Sequence, residues 1–292
     1  MMELGIITDE VSDDFARACE LAHDWGVRHV ELRQAWGKNV VQLDDEEEQR
    51  LVDVVQRLDL RVTAVASPVF KSPLDEVPRE VAADFALSGV ESMAAQLDLL
   101  ERACRLAARV GAPFVRVFTF WREPWTDDVA DALLDKLTQA ARVAARHDVT
   151  LAVENEPVCI VATGRELGRL CERLASLPAE LRPHLGTLWD PGNALAAGEQ
   201  DAYPGGYDAL EPCRLVHVHL KDPSIGADGT PTYLPLGEGD VDYAGQLRRL
   251  RRDGYEGTVV LEPHYAPAHL SREEAAHACI HAARDAIAAA EG

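Results

Sequence analysis

Short apolar runs alternate with longer stretches in which apolar residues recur every three or four positions, and this rhythm holds from end to end. Leu4–Thr8 reads as a first strand. The helix after it takes Ser12 as N-cap, sets Phe15, Ala18, Cys19, Ala22 and Trp25 on one face and stops at Gly26. His29–Arg33 is the second strand, Asp44–Leu58 the second helix and Arg61–Ala66 the third strand. Prolines mark Ser67–Pro78 as a long loop. The third helix covers Glu91–Val110 and closes on Gly111; strand four is Phe114–Phe120 and helix four Asp127–His147. Strand five is Thr150–Glu154, helix five Gly164–Leu177 and strand six Leu185–Trp189. A short sixth helix is expected near Tyr207–Leu210, then strand seven at Leu215–Leu220 and a Gly-rich loop to Gly239. Helix seven is Tyr243–Asp253, strand eight Thr258–Leu261 and helix eight Ser271–Ala290.

Strands that alternate with helices imply a parallel sheet with helices outside it. Eight such pairs predict one closed (β/α)₈ barrel, an α/β fold, filling residues 1–292 as a single domain. An open doubly wound sheet is the rival, but Ile6–Ser12 lacks the Gly-rich phosphate loop expected after its first strand. No linker, low-complexity segment or close repeat divides the chain.

Lys and Arg total 29 against 50 for Asp and Glu, a formal charge of -21. Such a chain should repel phosphate backbones and anionic membrane surfaces. The six cysteines (Cys19, Cys104, Cys159, Cys171, Cys213 and Cys279) form no CxxC pair and read as reduced, mostly buried residues. The first residues, MMELGIITDE, carry no signal-peptide pattern, and no run has the length of a membrane span, so the cytoplasm is the expected location.

Barrel active sites sit at the C-terminal ends of the strands. Four consecutive strands end in candidate ligands: LAVENEP at Glu154, GTLWDPGN at Asp190, LVHVHLKD at His219 and TVVLEPH at Glu262. Residues two apart share a strand face. An inward Glu154 brings Ala152 and Thr150 inward, Asp190 brings Leu188 and Gly186, and Glu262 brings Val260 and Thr258, all small or apolar. Leu151, Val153, Val259 and Leu261 then face the helices. Three carboxylates and one imidazole make a hard site for one divalent ion. Mn²⁺ or Mg²⁺ is favoured, and Zn²⁺ or Co²⁺ would also fit.

These segments carry a resemblance. TDEVS at Thr8–Ser12, VELR at Val30–Arg33, LAVENEP, WDPGN, HVHLKD, LGEGDVDY at Leu236–Tyr243 and VVLEPH occur in the order and spacing of the xylose-isomerase-like barrel superfamily. The chain resembles its sugar-phosphate isomerase/epimerase branch, which includes ketose 3-epimerases, hydroxypyruvate isomerase, inosose dehydratase and 3-dehydroshikimate dehydratase. The resemblance implies that Glu154, Asp190, His219 and Glu262 ligate the metal and that His217 does not. It also implies that Glu154 and Glu262 act as acid and base on a small polyhydroxylated carbonyl substrate, through an enediolate.

Other residues are candidates for substrate contact. Asn193 could bond a hydroxyl or serve the turn after Pro191-Gly192. Lys221 could grip an anionic group or form a rim salt bridge to Asp222 or Glu238. Glu156 reaches substrate or caps its loop, and His264 is placed to line the rim. Arg116 is a further candidate for the cavity, although for it, Glu31 and Arg33 ion pairing inside the barrel is the preferred reading. His217, one layer deeper than His219, reads as a hydrogen-bonded core histidine. Trp121 and Trp125 could form an apolar wall against a sugar face, but ordinary loop packing is the preferred reading.

The alternative function is a dehydratase of inosose or 3-dehydroshikimate type, since elimination starts with the same proton abstraction. Metal-dependent DNA-repair endonucleases of the superfamily are disfavoured, because WDPGN has asparagine where that class has histidine and no further histidine cluster is evident. A homo-oligomer is compatible with the sequence. With a charge of -21, the protein is expected not to bind duplex or single-stranded nucleic acid at physiological salt in a mobility-shift assay. Tight binding to abasic DNA with cleavage that depends on Glu262 is the contrary result.

Overall fold

The computed structural model describes residues 2–77, 81 and 86–291, so Pro78 at the end of the expected loop lies outside the described residues, as do Met1 and Gly292. Eight strands close into a parallel barrel: β1 (Glu3–Ile7), β2 (His29–Leu32), β5 (Arg61–Ala66), β6 (Phe114–Val117), β7 (Thr150–Glu154), β8 (Leu185–Trp189), β9 (Leu215–Leu220) and β12 (Thr258–Leu261). Around the ring β12 lies between β1 and β9, which closes the barrel. The helices are α1 (Phe15–Asp24), α2 (Asp45–Arg57), α3 (Met93–Val110), α4 (Asp127–Arg146), α5 (Gly164–Leu174), α6 (Pro191–Ala196), α7 (Tyr243–Arg252) and α8 (Arg272–Glu291).

Strand phase sorts the side chains as the alternation predicts. Leu151, Val153, Val259 and Leu261 belong to the hydrophobic cluster that joins sheet and helices. Ala152, Leu188 and Val260 are fully buried yet stand outside that cluster, on the side of the barrel interior.

Local polar chemistry starts the helices. Asp44 and Glu47 form a reciprocal capping box at α2, and Ser92, Thr126 and Thr163 cap α3, α4 and α5. The cap of α1 is Asp14, which accepts from the backbone of Ala16 and Arg17. Ser12, the expected cap, instead accepts from Asp14 N, two positions before the helix.

The sixth helix also differs from expectation. It starts directly after β8, with Asp190 as N-cap and Pro191 in the first turn. Pro-Gly suggested a turn, but proline fits the first helical position, where no N–H is needed. The expected segment Tyr207–Leu210 only continues from a π-type turn at Ala202–Gly206.

Two hairpins interrupt the rhythm. β3 (Gln34–Ala35) and β4 (Lys38–Asn39) pair across Trp36-Gly37, both at positive φ, the signature of a type I′ turn. β10 (Asp222–Ile225) and β11 (Pro231–Leu234) pair within the Gly-rich segment and reverse at Asp228-Gly229. The Asp222 carboxylate gathers the rest of that segment by accepting from the backbone of Gly237, Gly239 and Val241. A side chain at Gly239 would meet Asp222 at 2.4 Å, so the loop needs glycine there.

Among the described residues no helix is long and apolar enough to cross a membrane. The cysteines depart from the all-reduced expectation. Cys171 on α5 and Cys213 before β9 form a disulfide, while Cys19, Cys104, Cys159 and Cys279 are buried free thiols. The pair escaped notice because 42 residues separate the two in sequence, and only barrel closure brings their Cα atoms to 5.2 Å. Under non-reducing conditions mass spectrometry should find this bridge. Its reduction, or Cys171→Ser, is expected to cost about 2–4 kcal/mol, read as a lower Tm. An unchanged Tm on reduction of the parent would count against a contribution from the bridge.

Candidate active site

Four side chains meet above the barrel interior. One donor atom from each of Glu154, Asp190, His219 and Glu262 lies within 4.8 Å of the others, and all four residues are buried. His219 Nδ1 stands 3.4 Å from Glu154 Oε1, 3.5 Å from Glu262 Oε2 and 4.0 Å from Asp190 Oδ2. Glu154 Oε2, Asp190 Oδ2 and His219 Nδ1 are buried without a partner in hydrogen-bond geometry. Polar atoms are rarely left so in a protein interior. Glu154 Oε2 and Asp190 Oδ2 lie 3.2 Å and 3.1 Å from Arg116 and Lys221 without hydrogen-bond geometry, and the convergence of these carboxylates with the imidazole suits a hard or borderline divalent cation.

Each ligand candidate is held by a local device. Asp190 Oδ1 caps α6 through Asn193 N at 2.9 Å, which leaves Oδ2 for the site. The Asn155 amide clasps the Asp190 backbone, donating to its carbonyl at 2.8 Å and accepting from its N–H at 2.9 Å. Glu154 receives the Asn193 amide at 3.2 Å and faces the Arg116 guanidinium at 3.2 Å. Glu262 is gripped by Arg33 on one oxygen and by Lys221 Nζ at 2.5 Å on the other.

The electrostatics separate the three carboxyls. Burial raises the pKa of Asp190 to about 6, only partly opposed by the Lys221 ammonium. Burial acts on Glu154 too, but Arg116 and His219 outweigh it and hold it below the usual carboxylate range. For Glu262 burial is outweighed by Lys221 and His264, and its pKa falls well below that range. Glu154 and Glu262 are therefore held ionised across the neutral range, whereas Asp190 takes up its proton at a less acidic pH than either. Burial disfavours the charged forms of Lys221 and His219, yet the surrounding carboxylates raise both well above their ordinary values.

The substrate-contact candidates fall in different places. Lys221 pairs with neither Asp222 nor Glu238; its Nζ lies 3.1 Å from Asp190 and 2.5 Å from Glu262. The Asn193 side chain does more than serve a turn, since it bonds Glu154, the Asn155 carbonyl and, at 3.3 Å, Glu156. Glu156 also pairs with Lys71 at 3.2 Å. Arg116 is spent within the barrel, on Glu154 and on the carbonyls of Ala66 and Ser67, which fits ion pairing rather than an open cavity wall. His264 sits at the rim between Glu10 at 3.3 Å and Glu262 at 3.4 Å. His217 is a bonded core histidine, 2.7 Å from Glu31.

Several participants were not singled out from sequence. Asp9 and Glu10, inside TDEVS, both bind Arg33 and so fix the guanidinium that holds Glu262. Tyr243, the last residue of LGEGDVDY, donates to the Lys221 carbonyl at 2.7 Å and accepts from its N–H at 3.0 Å. Gly192 makes room for the same lysine, because a Cβ there would lie 2.4 Å from the Lys221 carbonyl. The motifs containing these residues were visible; their pairings were not.

Comparison with known proteins agrees with this architecture. Residues 19–282 match the model of a family described as xylose isomerase-like TIM barrel. The SgbU protein of Escherichia coli (strain K12) is 27% identical over 170 residues, 56% of each chain. The chain thus spans about half the length of the curated relatives it matches. A crystal structure of the IOLI protein with a bound zinc atom superposes with a TM-score of 0.75 at 18% identity, over 98% of both chains. A D-tagatose 3-epimerase-like protein gives a TM-score of 0.73 at 16% identity, over 99% of this chain and 97% of the other.

The orphaned donors generate a direct test. Mn²⁺, Mg²⁺, Zn²⁺ or Co²⁺ is expected to raise the Tm of protein stripped with a chelator, by about 2.7 kcal/mol of stability at 100 times the Kd. Asp190→Ala and His219→Ala should lose that response. Equal metal binding by both variants and the parent would show that the ion sits elsewhere.

Proposed function

Because the chain belongs to the xylose isomerase-like TIM-barrel family, we propose that it is a divalent-metal-dependent isomerase or epimerase of a sugar or sugar phosphate. The observation that carries this reading is the convergence of one donor atom from each of Glu154, Asp190, His219 and Glu262 within 4.8 Å of the others, with His219 Nδ1 left without a hydrogen bond. One ion held by Glu154, Asp190, His219 and Glu262, with Mn²⁺ or Mg²⁺ favoured and Zn²⁺ or Co²⁺ admissible, would supply Lewis-acid stabilisation of negative charge on substrate oxygens.

The remaining work belongs to the chain. Glu154 and Glu262 end β7 and β12, which β8 and β9 separate in the ring, so their carboxylates reach a bound substrate from different sides. One takes the proton from a carbon next to the substrate carbonyl, and the C–H electrons move into an enediolate. The other, protonated from solvent, returns that proton to the opposite face of the carbon for epimerisation or to its neighbour for isomerisation. Arg116 and Asn193 aim Glu154, while Arg33 and Lys221 aim Glu262. Lys221, His264 and Glu156 are the polar groups we assign to substrate hydroxyls, with Asn193 and Arg116 acting through Glu154.

Residues 1–292 are taken as one cytoplasmic domain that needs neither nucleic acid nor membrane and that is free to form a homo-oligomer. A small polyhydroxylated carbonyl compound is its partner. The D-tagatose 3-epimerase-like neighbour supports the substrate class at the level of fold.

Glu154→Gln and Glu262→Gln keep the size of each side chain and remove the base. Each variant should fold, retain at least weak metal binding and lose turnover of a ketose substrate by about 10²-fold or more. In D₂O the parent should place deuterium at the carbon that inverts or tautomerises. A fully loaded Glu262→Gln enzyme with undiminished turnover, or conversion with no exchangeable proton step, would sink the two-glutamate mechanism. Loss of water from the product would move the assignment to a dehydratase of inosose or 3-dehydroshikimate type.

A further inference from the structure

Beneath the four-residue centre lies a second buried group that the proposed reaction leaves without a role. Glu31, on β2, is completely enclosed, as is His219, and His217 is nearly so. His217 Nε2 lies 2.7 Å from Glu31 Oε2. His219 Nε2 lies 3.1 Å from Glu31 Oε1 and 3.2 Å from Oε2. The far side of the His219 ring presents Nδ1, which has no hydrogen-bond partner and faces Glu154, Asp190 and Glu262.

A neutral imidazole has one N–H and one lone pair, and a hydrogen bond at one nitrogen decides which is which. An ionised carboxylate only accepts, so a nitrogen facing it must carry the proton. Glu31 lies within hydrogen-bond distance of a ring nitrogen on each histidine, so it is placed to accept from both. Nε2 of His219 therefore keeps its proton, and Nδ1 is the nitrogen that would give one up to present a lone pair to an ion. His217 binds the same carboxylate and keeps it from rotating away. Its own ring packs on Phe114, 5.6 Å between centroids.

We infer that Glu31 is the positioning residue of the centre: it fixes the tautomer and ring angle of His219 so that Nδ1 points at the ion. This rests on the metal-dependent reading above and deepens it. Glu31 does not touch substrate, and the nearest candidate ion ligand to it is His219. A carboxylate behind a ligating imidazole also makes that imidazole more basic and its bond to the ion stronger. The alternative use of Glu31, His217 and His219 as a separate metal site is disfavoured by their pairing. Both Nε2 atoms are already bonded to the one carboxylate.

The test compares chelator-stripped parent, Glu31→Gln and His217→Gln by calorimetric titration with Mn²⁺ and Zn²⁺. It adds the visible spectrum of the Co²⁺ form and ¹⁵N signals of labelled histidine in the Zn²⁺ form. Glu31→Gln, close in size to the native residue, should keep the parental circular dichroism and bind metal about 10- to 100-fold more weakly. Its Co²⁺ spectrum should shift. In the parent Zn²⁺ form, His219 should show a proton on Nε2 and none on Nδ1. His217→Gln should have the smaller effect on affinity, because the Glu31–His219 pair remains. Should Glu31→Gln fail to fold, the ¹⁵N pattern of the parent still decides: a proton on Nδ1 overturns the inference. Parental affinity and spectrum in a folded Glu31→Gln protein overturn it as well, while leaving the metal centre standing. A parent that binds no ion at all overturns both.

Discussion

Four carboxylates, Glu31, Glu154, Asp190 and Glu262, are nearly or completely withdrawn from water inside one barrel, and every other feature of the site answers to their charge. A bare buried carboxylate is costly enough that it must be paired or protonated. The barrel meets this with hydrogen-bonding and charged partners drawn from distant strands. Arg33 from the segment after β2 and Lys221 after β9 serve Glu262, Arg116 from β6 serves Glu154, and the two β9 histidines serve Glu31. Asp190 is the least compensated, which is why burial governs its pKa. The compensation stops short of completion at His219 Nδ1, which has no hydrogen-bond partner and faces three carboxylates, an arrangement a divalent cation would satisfy.

The same economy shows in side chains with two duties. Asp190 starts α6 with one oxygen and presents the other to the site. The Asn193 side chain, one turn along that helix, reaches back to Glu154. Tyr243 starts α7 and holds the backbone of Lys221 with both faces of its hydroxyl. Helix starts and site geometry are thus mechanically linked. A ligand that moved would loosen a cap, and a lost cap costs on the order of 1 kcal/mol. Rigid strand ends combined with such links give the preorganisation that proton transfer at carbon requires.

Much of the fold was legible because its signals are local. Short apolar runs marked the eight barrel strands, and two-residue alternation phased Glu154, Asp190, His219 and Glu262 together on one face of theirs. The failures were local signals with two meanings. Pro191-Gly192 fits a turn or a helix start, and the capped helix won because Asp190 supplies its N-cap. Ser12 and Asp14 both suit a cap, and the chain used the aspartate, which reaches the backbone of both Ala16 and Arg17. The Asp228-Gly229 hairpin was readable as a turn signal but was absorbed into a long glycine-rich loop.

By itself the sequence determined the number and order of the strands, the parallel closure they imply and the inward row of ligand candidates at the strand ends, since all of these follow from short-range periodicity. Only the tertiary structure decided the partnerships. Arg33 meets Glu262 across 229 positions and Glu31 meets His217 across 186, while Lys221 passes over its neighbour Asp222 for Asp190 and Glu262. The physical reason is that a charge pairs with whatever counter-charge barrel closure brings within a few ångströms. That distance depends on the register of strands far apart in the chain, about which the residues next to a charge carry no information.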